Sequence, residues 1–347
     1  MALAKITLKK KEERRLLRGH PWVFSNEIAT IEGDPSSGEY VQIFSSSGKN
    51  LGFGFFNRQS LISFRFWDKN LEACTDEELK KRLMKSNAMR NAVLPDARSY
   101  RMVHGEADDL PGLIIDRYED TYCIQTLSTG IDRSLQVIVD ILCSAFSAKN
   151  VIERNDSPLR VLEGLPEQKK VLLGSAGIVH IEENGIHYEI DPLNGQKTGF
   201  FLDQRNNRAL IRSMARGASV LDLFSNQGGF LLNAIKGDAR EGIANDISTD
   251  AITQIQHNLK LNPISNRENF GTAAKDTFEY LKQLYAERRT FDLVICDPPS
   301  FTKSKKSLPS AMKGYLQLNI LALKIVSKGG FLATASCSHH FQRDASL

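Results

Sequence analysis

Residues 218–230 read A-S-V-L-D-L-F-S-N-Q-G-G-F, and the fold turns on this stretch. Val220-Leu221-Asp222-Leu223-Phe224 is a short apolar run with one carboxylate, as in a buried parallel strand that ends at a ligand. Ser225-Asn226-Gln227-Gly228-Gly229 turns the chain, and 230–235 continues at helical spacing. Strand, glycine turn and helix together put a small ligand at the carboxyl edge of a strand. The two glycines would let backbone approach that ligand, because no Cβ intrudes. The dinucleotide fingerprint G-x-G-x-x-G is absent, which disfavours a nicotinamide dehydrogenase. Asp222 and so few glycines suit a ligand with a positive or neutral amino-acid end, of which S-adenosylmethionine (SAM) is one. Taken alone, the turn fits an ordinary α/β connection without a ligand equally well.

Working outward, strands at 220–224, 242–244, 269–271, 291–296 and 331–335 alternate with helices from 230, at 250–261, 277–288 and 311–326. That alternation predicts a doubly wound, mostly parallel α/β sheet. Three more acids then fall at strand ends. Asp246, about 20 residues past the turn, is placed to accept ribose hydroxyls. Asp276 could accept from an adenine amino group, and Asp297 ends the fourth strand in C-D-P-P-S-F. One acid at a strand end is more often a helix cap, but four in register argue for one shared crevice. Two consecutive prolines make a rigid loop that presents Asp297, and Phe301 could stack on a base. The next strand ends in T-A-S-C-S-H-H, which sets Cys337 across the neighbouring loop from Asp297. A thiolate there could add to C6 of a pyrimidine and activate C5 for methyl transfer. A small buried thiol is the commoner fate of a cysteine, and Cys296, inside an apolar strand, is read that way.

Composition narrows the class. The chain has 347 residues, 41% hydrophobic and 25% charged, in the range of globular domains. No window approaches 18 consecutive apolar residues and no signal peptide is evident, so neither a membrane span nor secretion is expected. Five scattered cysteines without C-x-x-C argue against disulfides or zinc and fit a reducing cytoplasm. His339-His340 lack further ligands at metal spacing, so no metal is expected. The net charge of +4 is unevenly placed: residues 1–20 hold seven Lys/Arg against two Glu, and 302–328 hold six Lys and no carboxylate. Lys9, Lys10, Arg14, Arg15 and Arg18 at one end and Lys303, Lys305 and Lys306 at the other predict contact with a polyanion such as RNA.

Four segments are expected. Residues 1–70 show short strands between Gly/Ser/Asn/Pro turns, as in a small barrel. The basic helix before G-H-P-W-V-F and the later G-F-G-F-F-N resemble the PUA domain, an RNA-binding pseudo-barrel. Residues 71–177 read as a second α/β domain: a helix capped by Thr75, a hairpin at 113–127 and an amphipathic helix at 131–146. Its acidic pair Asp108/Asp109 is expected to be solvated. Residues 178–217 hold a hairpin around Asn184-Gly185, then the aperiodic segment L-N-G-Q-K-T-G-F-F-L-D-Q-R-N-N-R. Residues 218–347 carry the parallel sheet.

Together, L-D-L-F-S-N-Q-G-G-F, N-D-I-S and D-P-P-S-F resemble a class I SAM-dependent methyltransferase. With G-E-A-D-D-L-P-G-L-I-I-D-R-Y, the G-Q-K-T-G-F-F-L-D-Q-R-N-N-R segment and S-C-S-H-H, the whole chain resembles the bacterial 23S ribosomal RNA cytosine-C5 methyltransferase family. The resemblance implies SAM held by Asp222, Phe224, Ser225, Gly228, Asp246, Ile247, Asp276 and Asp297, with help from Gln204 and Arg205. It also implies Cys337 as nucleophile and 23S rRNA, or a large-subunit precursor, as partner. Two departures stand out. Many RNA cytosine-C5 methyltransferases carry a second cysteine after the fourth strand, where this chain has Ser300, so Asp297 or a water it holds becomes the candidate for removing the C5 proton. Class I sheets close with a sixth and a seventh strand, whereas this chain stops at Leu347, soon after its fifth. A truncated sequence, or an edge covered by a partner subunit as in a homodimer, is therefore expected. Two rival readings remain: an exocyclic-amine RNA methyltransferase using D-P-P-S-F, and a non-catalytic RNA-binding or assembly protein.

Overall fold

The computed structural model describes residues 3–302 and 307–337. Lys303, Lys305, Lys306 and His339-His340 lie outside them. The chain divides into two compact units, one running to Ile181 and including Ile190–Leu202, the other comprising Glu182–Glu189 and everything from Asp203 onward.

The first unit opens with β1 (Lys5–Leu8), α1 (Glu13–Leu17), β2 (Trp22–Phe24), β3 (Ile28–Glu32), β4 (Tyr40–Phe44), β5 (Asn50–Phe56) and β6 (Ile62–Asp68). These strands form a six-stranded sheet, order β2-β6-β5-β4-β1-β3. Only β1 and β4 pair in parallel. Ile6, Leu8, Val41, Ile43, Phe56 and Phe64 are buried inside it. The G-x-G of β5 has a steric cause: a Cβ on Gly54 would stand 2.1 Å from the Arg65 carbonyl oxygen on β6. Strand β3 was not anticipated, because four of its five residues are exposed and no period-2 apolar pattern marks it.

The unit continues with α2 (Asp76–Val93), β7 (Ser99–His104), β8 (Leu113–Tyr118), β9 (Thr121–Thr126), α3 (Thr129–Arg133), α4 (Leu135–Phe146), β10 (Asn150–Asn155) and β11 (Gln168–Leu173). A mixed five-stranded sheet results, order β11-β10-β9-β8-β7. Thr75 caps α2 as expected, accepting the Glu78 N–H at 3.2 Å. The helix expected at 131–146 is two helices broken at Ser134. The expectation of a solvated acidic pair fails at Asp108, which is buried, paired with Arg90 and bonded to the His104 N–H at 2.6 Å. Phe55 and Trp67 of the first sheet share one core with Leu79, Leu83, Tyr100, Ile115 and Ile138, so the two sheets of this unit are packed as one body.

The second unit takes part of the hairpin β12 (Val179–Glu183) and β13 (Ile186–Ile190), then α5 (Arg205–Met214), β14 (Ser219–Leu223), α6 (Gly229–Lys236), β15 (Glu241–Asp246), α7 (Thr249–Leu261), β16 (Phe270–Ala274), α8 (Thr277–Ala286), β17 (Phe291–Cys296), α9 (Leu308–Leu323) and β18 (Val326–Thr334). Asn184 (φ 55°) and Gly185 (φ 74°) are both left-handed, as a two-residue hairpin turn requires. The sheet is parallel throughout, order β16-β15-β14-β17-β18, as the alternating pattern predicted. All five residues of β14 are buried, because helices cover both faces of the central strand. The order reverses between β14 and β17, which opens a crevice at their carboxyl ends. Among the described residues β18 is an edge strand. Phe331 on this strand and, on α9, Leu316, Ile320 and Leu323 are exposed. No described helix is long and apolar enough to cross a membrane, and no described cluster of His, Cys, Asp and Glu could hold a metal ion.

Candidate active site

The turn after β14 is held in an unusual backbone shape. Phe224 (φ 60°), Asn226 (φ 49°) and Gly228 (φ 76°) are all left-handed. A non-glycine residue pays about 1 kcal/mol or more for this conformation, so the surroundings must enforce it. Ser225 does so: its N–H donates to the Asn245 carbonyl at 3.0 Å and its hydroxyl to the Asp222 carbonyl at 2.6 Å. The glycines also make room inside the fold. A Cβ on Gly228 would meet Ile255 of α7 at 3.0 Å, and one on Gly229 would meet the Arg208 side chain at 2.9 Å. They admit protein neighbours, and Gly228 also supplies the left-handed cap of α6.

Asp222 is completely buried. Its Oδ2 accepts the Leu231 N–H at 3.1 Å, while Oδ1 has no hydrogen-bond partner among the described residues. Burial above all, with the charges of Asp297 and Asp246 behind it, pushes the carboxyl up to about 7 against the hydrogen bonds that lower it. Asp246 ends β15 and is pinned from two sides, by the Asn226 N–H (3.0 Å) and the Ser248 N–H (2.9 Å). The glycine turn thus grips the neighbouring strand's acid through backbone, a link that no spacing rule reveals. Ile247, next to it, leaves 69% of its surface exposed, an apolar platform at the crevice. Asp276 is exposed and accepts the Glu279 N–H at 3.1 Å, the ordinary work of a helix cap.

Asp297 follows β17 directly and accepts from the Gln204 side-chain amide at 2.8 Å. Gln204 therefore reaches the proline loop, whereas Arg205 turns to Glu183 (3.4 Å), which also takes both forks of Arg208 (2.6 and 2.9 Å). Beyond β18, the Ala335 N–H donates to the Cys296 carbonyl at 2.9 Å and carries the chain alongside the D-P-P loop. Cys337 is exposed there, its Sγ 3.8 Å from the Pro298 carbonyl. Cys296 is buried, and its thiol is pushed up to about 12 by burial and then by Asp222 and Asp297, so it stays protonated. Phe301 is stacked on Tyr315 with ring centres 4.5 Å apart, so its ring packs against α9. Ser300 donates to the Thr302 carbonyl at 2.6 Å.

Of the basic residues near the start, Arg15 is engaged within the fold: it pairs with buried Glu27 at 3.0 Å and lies over the Phe24 ring. Lys9 donates to the Asn26 carbonyl at 2.7 Å, and Lys10, Arg14 and Arg18 are exposed.

The crevice thus brings together a buried acid with one orphaned oxygen, a pinned acid at the next strand end and an exposed apolar side chain. A ligand with an ammonium, a ribose and a flat base has a partner of the right chemistry in each. Across the same sheet edge stand a carboxylate and an exposed thiol. Both parts of the chain resemble known proteins. Residues 6–69 match a PUA-like domain model, and residues 170–338 match the model of S-adenosylmethionine-dependent methyltransferases. A crystal structure of SMU.776 complexed with SAH shares the fold, with a TM-score of 0.83 at 22% identity over 100% of this chain and 88% of that one. A second structure, of a protein from Streptococcus mutans, gives 0.81 at 22% identity with the same coverage. Ribosomal RNA large subunit methyltransferase I of Aliivibrio fischeri is 38% identical over 96% of this chain and 85% of its own length. The enzyme of that name from Vibrio parahaemolyticus is 38% identical over 96% and 86%. The chain therefore belongs to the ribosomal RNA large subunit methyltransferase I family, as a SAM-dependent methyltransferase with a PUA-like domain before its catalytic fold.

Proposed function

We propose that this protein methylates C5 of a cytosine in large-subunit (23S) ribosomal RNA through a covalent adduct with Cys337. The observation that carries this reading is the approach of the exposed Cys337 thiol to within 3.8 Å of the Pro298 carbonyl, on the loop that Asp297 opens. The names of the relatives support the RNA substrate.

Asp222, Phe224, Ser225 and Gly228 would shape the amino-acid end of the SAM site, Asp246 would take the ribose, and Ile247 and Asp276 would flank the adenine. SAM supplies an electrophilic methyl group. Cys337 adds as thiolate to C6 of the cytosine, and the C6–S bond turns C5 into the nucleophile that receives the methyl. Asp297, directly or through a water, then takes the proton from C5, and the C6–S bond breaks to release Cys337. The PUA-like domain would hold RNA through phosphate contacts, with Lys10, Arg14 and Arg18 outermost.

Cys337→Ala is to be incubated with labelled SAM and unmodified large-subunit RNA. The expected result is loss of label from 5-methylcytidine, and undiminished C5 methylation would remove Cys337 from the mechanism. The exocyclic-amine alternative needs the aromatic ring of the D-P-P-S-F loop, but Phe301 is stacked on Tyr315. Nucleoside mass spectrometry of the wild-type product separates the two.

A further inference from the structure

The segment D-Q-R-N-N-R (203–208) shows no periodicity in the sequence, yet its side chains sort into two interleaved pairs three residues apart. Arg205 and Arg208 both turn to Glu183 on the hairpin, whose carboxylate is 1% exposed. This buried cluster fixes α5 against the hairpin. Gln204 and Asn207 form the second pair. Asn207 donates to the Gln204 side-chain oxygen at 2.6 Å, and the Gln204 amide nitrogen donates to Asp297 Oδ2 at 2.8 Å.

We propose that Gln204 is a positioning residue for Asp297, in place of the cofactor contact expected from the motif. The proposal rests on the assignment of Asp297 to the C5 proton. Asn207 is what gives the geometry its direction. An amide has one accepting and one donating end, and only a donating end is of use to a carboxylate. By occupying the Gln204 oxygen, Asn207 turns the N–H toward Asp297. That hydrogen bond fixes the plane of the carboxylate and so the direction in which its other oxygen points. The anchor lies on the adjoining face of the same turn, where Glu183 holds both arginines, so the amide is presented from a helix start tied to the hairpin.

The test uses the full chain and measures SAH affinity by titration and kcat with labelled SAM and unmodified large-subunit RNA. Gln204→Met keeps the side chain's length but removes the donor. Its kcat should fall about ten- to a hundred-fold, with SAH affinity within about threefold of wild type. Asn207→Ala should lower kcat in the same direction by less, since an unanchored amide can still donate. Combined with Asp297→Asn, Gln204→Met should add no further loss, because it acts through the acid already removed. A fall in SAH affinity that matches the fall in kcat would make Gln204 a cofactor ligand and overturn the proposal, as would an unchanged kcat. Failure of the underlying reading looks different: the wild-type product would not be 5-methylcytidine, whatever Gln204→Met does.

Discussion

Two buried carboxylates, Glu163 in the first unit and Asp222 in the second, are treated in opposite ways. Glu163 is 3% exposed and fully paired: the Arg65 guanidinium lies at 2.9 Å, the Asn57 amide at 2.9 Å and the Ser60 hydroxyl at 2.6 Å. Arg65 reaches on to Glu106, which also accepts the Trp22 indole N–H at 2.7 Å. Asp222 is no more exposed, yet it has a single N–H donor, an orphaned oxygen and two acids whose charges reach it. Burying a charge without a partner is expensive, so a fold tolerates it where something else gains. The first acid ties the two sheets of its unit together. The second sits where a ligand would complete it.

Breaking Glu163 should have the largest effect. Glu163→Ala strips buried Arg65 of one of its two carboxylates and Ser60 of its acceptor, and about 3–5 kcal/mol of the first unit's stability should go with them. The only two tryptophans, Trp22 and Trp67, both lie in that unit, so denaturant unfolding followed by tryptophan fluorescence reads it directly. SAH affinity measured below the transition should stay at the wild-type value. An unchanged midpoint would mean that the network is ornamental.

Asp222→Asn should do the reverse. The tryptophan-detected midpoint stays, while SAH affinity falls about ten- to a hundred-fold because a charged partner for the ligand's ammonium is gone. The wild type should also show a pH dependence of definite sign. The free carboxyl titrates at about 7, above the ordinary range near 4, and a bound ammonium favours the ionised form. Below pH 7 a proton must leave before the ligand is held, so affinity should weaken by up to about tenfold per pH unit on acidification and level off above 7. In Asp222→Asn that slope should vanish. A wild-type profile flat from pH 5.5 to 8 would place the ammonium elsewhere.

How much of this could be read from the sequence depends on where each residue finds its partner. The strands of the parallel sheet were legible because burial on both faces leaves only apolar residues, as in Val220-Leu221 and Leu293-Val294-Ile295. The hairpin was legible because Asn184-Gly185 specifies its own turn. Strand β11 was not, since its first residues, half-buried Gln168 and exposed Lys169 and Lys170, lie on an edge and carry no apolar signal. Asp108 and the D-Q-R-N-N-R segment were opaque for a related reason. Their meaning lies in Arg90, Glu183 and Asp297, which no local pattern joins to them. The glycine turn was legible, but one reason for its glycines was not, because Ile255 and Arg208, the side chains that need the missing Cβ atoms, come from other elements.

That explanation yields a smaller effect that sharpens the contrast. Gly228→Ala forces a left-handed alanine against Ile255. About 1–2 kcal/mol of the second unit's stability should be lost, with a weaker hold on SAH and no change in the tryptophan signal of the first unit. Backbone hydrogen exchange of α6 and α7 measures it, and unaltered protection there would show that the turn has room to spare.

The smallest effect belongs to exposed charge, and it repeats the lesson of the two carboxylates on one helix. Arg15 and Arg18 lie three residues apart around α1, but Arg15 is paired with buried Glu27 and Arg18 is solvent-facing. Charge committed to an internal partner is architecture, and charge left in solvent is available to phosphate. Arg18→Ala should therefore leave stability within about 0.5 kcal/mol and lower the slope of log affinity for large-subunit RNA against log salt by about one. Arg15→Ala should instead lower the tryptophan-detected midpoint, because Glu27 would remain buried without its cation. Equal salt slopes for the two variants would mean that RNA approaches this helix from another side, and that exposure alone does not mark the phosphate contacts.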